Sequence, residues 1–267
     1  MPLSYSKAGA IATFTIDNGK VNVFTPAMHR ELHDALVDFN RDPAIRVGIL
    51  TGSAGESFCA GDDIRTVLPE LTPQEALEAH LSPHCHEERI GLTRPGWEQD
   101  VMRLRRVKPI IGAVDRYCLG QGLIYLLLLT ELRIATERAQ FGFPEIAYGM
   151  GGAGAMTRLG RIVPEAVAME MLLLGERIAA AKALSVHLIN RVVQPERLAA
   201  EAQEMAEAIA KHPPVAVQVE LEAYNRAMDM PREQATDYAG TLFRFQRVAY
   251  DGPGAGTGFF RNNDDQQ

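Results

Sequence analysis

The stretch PIIGAVDRYCLGQGLIYLLLLTELRIAT, residues 109–136, reads as strand, glycine turn, helix and strand in immediate succession. Pro109–Val114 is a short apolar run, and the small residues of Cys118-Leu119-Gly120-Gln121-Gly122 form a turn. Leu119–Leu129 is helix-like, and Leu132–Thr136 returns as a strand. The apolar run Leu123–Leu129 stops at Thr130 and Glu131, far short of the roughly 20 residues that span a bilayer, so it is a buried core segment. The same alternation precedes it. Ala10–Ile16 and Val21–Thr25 are β-rich, Pro26–Asn40 has helical spacing, and Ile45–Thr51 is a buried strand. In that helix Met28, Leu32, Leu36 and Phe39 recur three or four apart, with Thr25 as N-cap and Pro26 at the first helical position. Repeated β and α elements predict a layered α/β fold.

Beyond Val163 the pattern turns helical: Pro164–Leu174, Ala179–Ser185, Pro195–Lys211, Pro214–Met228 and Arg232–Ala249, interrupted by a short strand at Leu188–Val193. A division into a core over 1–195 and a helical C-terminal region over 196–267 follows. Apolar positions such as Val215, Val219, Ala223 and Met228 need a surface to cover them, which a neighbouring subunit would supply. The glycine-rich tail ends in polar residues, with Phe259 and Phe260 expected to dock.

Composition narrows the function. The 267 residues are 46% hydrophobic and 23% charged, as in ordinary globular chains. Lys+Arg 27 against Asp+Glu 34 leaves −7, a surface that repels nucleic-acid phosphates and anionic lipid. Neither nucleic acid nor membrane is therefore expected as a partner. The N-terminus lacks the succession of a signal peptide, and three cysteines cannot close a disulfide framework, which predicts a reducing, cytoplasmic home.

Two turns attract attention. In Ser57-Phe58-Cys59-Ala60-Gly61-Asp62-Asp63-Ile64 the small Ala60 and Gly61 let backbone N–H groups approach a ligand. The turn at 118–122 opens a helix whose first N–H groups lack acceptors and favour an anionic oxygen. Each alone is also the ordinary chemistry of a tight turn. A third segment, Ala139-Gln140-Phe141-Gly142-Phe143-Pro144-Glu145-Ile146, makes the set informative.

Together these segments resemble the crotonase, or enoyl-CoA hydratase/isomerase, family over about residues 8–230. The F-x-A-G-x-D turn stands at Phe58–Asp63, Y-x-x-G-x-G at Tyr117–Gly122 and A-x-F-G-x-P-E-I at Ala139–Ile146. Further on, Ala166–Glu170, Leu174–Ile178 and Ala179–Ala183 look like the segments that follow in the same order. The resemblance implies a spiral of repeated ββα units with a helical C-terminal region that builds homotrimers or hexamers. It implies an acyl-CoA thioester as substrate, with no cofactor beyond the coenzyme A that the substrate carries and no metal. The thioester oxygen would sit between the backbone N–H groups of Asp62 and Gln121, the latter where glycine is usual. Ala60, Asp62 and Arg65 would meet the coenzyme A moiety.

Hydratases of this family use two glutamates. Glu145 matches the second, but Ile124 stands at the first, and it has no proton to exchange. The resemblance therefore implies one-base chemistry, in which Glu145 moves a proton between two carbons of an enoyl-CoA and shifts its double bond. Hydration by a single glutamate, a reassigned hydrolase or lyase activity, and a silent acyl-CoA binding protein are the alternatives. Apolar neighbours Phe141, Phe143, Ile146 and Met150 should raise the Glu145 pKa by desolvation. The variable segment Val67–Val101, with Trp97, could line the acyl pocket beside Ile124, and its His84, His86 or Glu88 could supply the missing second acid or base; the alternative is a solvated helix face and loop. Two other patterns lead elsewhere. His29 and His33 lie four apart without the glutamate of a zinc protease and are expected on the surface, and Gly149–Gly154 lacks the Lys-Ser/Thr of a P-loop.

Overall fold

The computed structural model describes residues 2–65, 70–81, 97–151 and 159–251. Its main layer is a six-stranded sheet in the order β1-β2-β3-β4-β6-β9. These strands are β1 (Leu3–Ala8), β2 (Ile11–Ile16), β3 (Val47–Gly52), β4 (Ile110–Val114), β6 (Leu132–Thr136) and β9 (Arg191–Val193). Only the β1–β2 pair is antiparallel; the rest run parallel, in register pairs such as Leu50↔Gly112 and Ala113↔Ile134. Every residue of β4 is buried, the signature of a central parallel strand covered on both faces. A smaller sheet joins β5 (Tyr117–Leu119), β7 (Gln140–Gly142) and β8 (Ile178–Ala179).

Helices cover the main sheet on both sides. On one side lie α1 (Pro26–Arg41), α3 (Trp97–Arg103) and α4 (Gln121–Leu129), whose Met28, Leu32, Val101, Leu123 and Leu126 share a core with Phe14, Leu50 and Val114. On the other, Leu198, Ala202, Met205 and Ala206 of α8 (Leu198–Ala210) pack on Ile11, Ile49, Ile111 and Ile134. The remaining helices among the described residues are α2 (Pro73–Leu81), α5 (Leu159–Ile162), α6 (Glu165–Leu174), α7 (Ala180–Ser185), α9 (Pro214–Ala227) and α10 (Arg232–Asp251). Among the described residues, 3-10 turns span Pro144–Tyr148 and Pro195–Arg197. Among the described residues no helix is long and apolar enough to cross a membrane.

The α/β expectation holds, with local differences. Val21–Thr25 is not a strand, because Asn22 adopts φ 50 and breaks the extended run. Its buried amide donates to the Ile16 and Ser57 carbonyls at 2.8 and 2.7 Å, and only Phe24 keeps a bridge, to Asp62. The strand at β1 has no apolar run to betray it; as an edge strand only its Leu3 is buried. Leu188–Val193 contracts to β9, since Leu188 and Ile189 are fully packed in the core and Asn190 uses its amide on Arg133.

Candidate active site

Parallel pairing brings the two glycine turns together. Cys59 and Cys118 form a bridge in which the Cys59 amide donates to the Tyr117 carbonyl and the Leu119 amide to the Cys59 carbonyl, both at 2.9 Å. The amides flanking Asp62 are committed: Ala60 N–H to the Val21 carbonyl, Gly61 N–H to the Cys59 sulfur, Asp63 N–H to the Phe24 carbonyl. Gln121 opens α4, in whose first turn amides lack intrahelical acceptors. A Cβ on Gly61 would lie only 3.9 Å from the Gln121 nitrogen, so the two turns stand face to face. Gly122 is small for the same reason, since a Cβ there would strike Cys59.

The third segment closes on this pair. The Gly120 amide donates to the Gly142 carbonyl at 3.0 Å, holding β7 beside the helix start. Gly120 has φ 52, a conformation that disfavours any side chain, and a Cβ there would collide with Glu145 Oε1. The carboxylate therefore rests on the backbone between the two turns. Its Oε2 is buried without a hydrogen-bond partner. Burial raises the Glu145 pKa above the usual carboxylate value, and the nearby Asp62 charge adds to the rise. The direction matches expectation, but Ile146 and Met150 contribute less than the sequence suggested, being 40% and 47% exposed. Gly149 serves as the left-handed cap that ends the 3-10 turn after Tyr148. The same burial raises the Cys59 and Cys118 thiols, leaving both as neutral packing groups.

Asp62, Gln121, Glu145 and Ala60 thus converge, and Ile124 is buried one turn into α4. Arg65 is exposed just past the first turn, its amide bonding Asp63 Oδ1 at 2.9 Å. Trp97 packs on α1, its ring 5.1 Å from that of His33 and 5.2 Å from the Arg30 guanidinium. His84, Cys85, His86, Glu88, Phe259 and Phe260 lie outside the described residues.

One expectation is overturned. His29 is not a surface residue; it is 3% exposed, stacked on Phe24 at 5.2 Å. Its Nδ1 lies 2.6 Å from the Tyr125 hydroxyl and its Nε2 lies 3.1 Å from Asp62 Oδ1. The spacing could have revealed it, because His29, Leu32 and Leu36 step down the buried face of α1 at intervals of three and four.

A family model described as enoyl-CoA hydratase/isomerase matches residues 6–248. The chain is 33% identical to the (E)-benzylidenesuccinyl-CoA hydratase of Thauera aromatica, over 94% of this chain and 93% of that protein. It is 30% identical to the carnitinyl-CoA dehydratase of Escherichia coli, over 93% and 90% respectively. Among solved structures, an enoyl-CoA hydratase from Mycobacterium smegmatis superposes with a TM-score of 0.82 at 25% identity, covering 100% and 98% of the two chains. An enoyl-CoA hydratase subunit from Geobacillus kaustophilus gives 0.80 at 29% identity, covering 93% and 90%.

Proposed function

The chain belongs to the enoyl-CoA hydratase/isomerase, or crotonase, family of enzymes, and from that premise we propose that it processes an acyl-CoA through a thioester enolate, with Glu145 carrying the proton at the carbon next to the thioester. The backbone amides of Asp62 and Gln121 are the donors that hold the enolate oxygen. Such donors act on charge that develops only in the transition state and are worth about 3–4 kcal/mol each in comparable sites. Ala60 and Arg65 lie on the side where the coenzyme A moiety would run, and that moiety arrives with the substrate.

The observation that carries this reading is the seat of Glu145 against Gly120, a position only a glycine leaves open. A desolvated carboxylate with a raised pKa is better suited than an ordinary one to both take and return a proton. With Ile124 apolar, one carboxylate suffices to remove a proton from one carbon of a 3-enoyl-CoA and return it to another, giving the 2-enoyl product. Addition or removal of water is the second reading, favoured by the hydratase and dehydratase names of the two relatives. Exposed Leu173 and Leu174 of α6, with Tyr224, Phe243 and Phe245 of the helical C-terminal region, support assembly into a homotrimer or hexamer.

Conjugation of 3-enoyl-CoA, followed by absorbance, tests the first reading, and loss of the 2-enoyl chromophore tests the second. Glu145→Gln is expected to lower both rates by at least about 100-fold. An undiminished rate would remove Glu145 from the mechanism.

A further inference from the structure

Three successive carbonyls hold the segments of the site together. The Asp115 carbonyl accepts from the Phe58 amide at 2.8 Å, the Arg116 carbonyl from the Gln140 amide at 2.7 Å, and the Tyr117 carbonyl from the Cys59 amide at 2.9 Å. From this hub the chain reaches each functional position a few residues further on: Cys59 leads to Asp62, Tyr117 to Gln121 and Gln140 to Glu145. We propose that the Asp115–Arg138 ion pair is a positioning device that fixes this hub, and through it the two oxyanion amides and Glu145. The inference rests on the enolate reading above and deepens it, since it names what sets those three groups at one spacing.

The hub needs a clamp because its pairing is irregular. In regular parallel pairing, carbonyls two residues apart face amides two residues apart. Here the carbonyls of Asp115 and Tyr117 serve the consecutive amides of Phe58 and Cys59, so one residue is in excess on the hub side. Arg116 takes up the excess at φ 51, in the left-handed region that residues with a Cβ disfavour. Such a backbone persists only where its surroundings over-determine it.

Those surroundings act through the Asp115 side chain, which is buried. The Thr136 hydroxyl donates to Oδ1 at 2.7 Å, Arg138 Nε to Oδ1 at 2.7 Å and Arg138 Nη2 to Oδ2 at 2.5 Å. A two-pronged guanidinium with a third donor fixes direction as well as distance. Burial alone would raise the Asp115 pKa, but the bonds from Arg138 and Thr136 outweigh it and hold the carboxyl below its usual value. Thr136 ends β6 and Arg138 lies in the link to β7, so the carboxylate ties Asp115 to both strands. Asp115 and Arg138 face a cavity of about 520 Å³ walled in part by Leu198 and Ala202 of α8, and none of Asp62, Gln121 and Glu145 lines it. From that side the pair bears on the reaction through the backbone.

Oxyanion donors lose their value when displaced, and a misplacement on the order of 1 Å costs about 100-fold. Arg138→Met removes the fork at a side chain that is 40% exposed, a change the fold can absorb. With 2-enoyl-CoA and 3-enoyl-CoA as probes, kcat should fall about 10–100-fold for whichever is turned over, while KM changes less than about 3-fold. Arg138→Lys, a point charge in place of a fork, should recover part of that loss. Amide hydrogen exchange reads the hub without substrate: Phe58, Cys59 and Gln140 should exchange at least about 10-fold faster in Arg138→Met, with the β2–β3 amides unchanged. Parental kcat, parental exchange at those three amides, a KM rise as large as the fall in kcat, no recovery by lysine, or faster exchange spread evenly over the sheet would each overturn the assignment. A parental rate in Glu145→Gln is a separate result and speaks only against the enolate reading.

Discussion

The two sides of the site are built to different standards. On one side the first turn and α4 form a closed frame: Phe58, Cys59, Cys118, Leu123 and Tyr125 are all buried, and the amides around Asp62 are tied to the segment Val21–Phe24 and to the turn's own Cys59 sulfur. On the other, Glu145 rides on a 3-10 turn with no fully buried residue, flanked by exposed Ile146, Tyr148 and Met150. In the proposed mechanism the amides of Asp62 and Gln121 must not move, because the value of such donors depends on pre-set geometry. In the same proposal Glu145 would meet two carbons in turn, and a half-exposed turn anchored at its ends permits that. Gly120 is the hinge between the standards, since it caps α4 and seats the carboxylate.

Gly120→Ala attacks both sides at once. The new Cβ would occupy the position of Glu145 Oε1 and would hold an alanine at φ 52. Activity should fall by at least about 100-fold and stability by about 1–3 kcal/mol, measured as kcat/KM and by denaturant melting. A variant with parental activity would show that Glu145 does not need its seat on Gly120.

The contrast in packing predicts a contrast in stability. Phe58→Ala empties a fully buried ring site and should cost about 3–5 kcal/mol. Ile146→Ala, from the neighbouring motif but 40% exposed, should cost less than about 1 kcal/mol. Paired urea titrations would check this, and similar costs would erase the distinction between frame and carrier.

Much of this contrast was legible in the sequence. The run Leu123–Leu129 could only be core, and the glycines at 120 and 122 reserve space that a Cβ would fill, so helix and turn followed from residue type alone. The expectation of Glu145 and the two amide positions came from the order of the motifs, and the fold brings the three segments that carry them together. What escaped was governed by tertiary partners. The spacing of His29 with Leu32 and Leu36 marks the buried face of α1, but the groups it meets there, Tyr125 nearly a hundred positions away and Asp62, are brought to it only by the fold. Asn22 has an apolar-looking context, yet the carbonyls it ties, Ile16 and Ser57, meet only in the folded chain. Edge strand β1 lacks alternation because one face of it has nothing to bury.

The smallest expected effect isolates the cost of poising the carrier. Glu145 has a raised pKa in the folded protein, caused first by burial, so between the ordinary carboxylate value and the raised one the native state binds more protons than the unfolded state. Stability therefore falls as pH rises through that window, and the deficit is complete above it. Glu145→Gln removes the ionisable group and with it the deficit. At pH 7 the variant should be more stable than the parent, read as a higher melting temperature. The gain should shrink toward zero below the ordinary carboxylate pKa, where both side chains are neutral. Thermal melts at pH 4 and pH 7 read the difference directly. A pH-independent gap, or a variant less stable at pH 7, would mean that the carboxylate is stabilising where it sits, and that the open side of the site carries no stored penalty for the reaction to use.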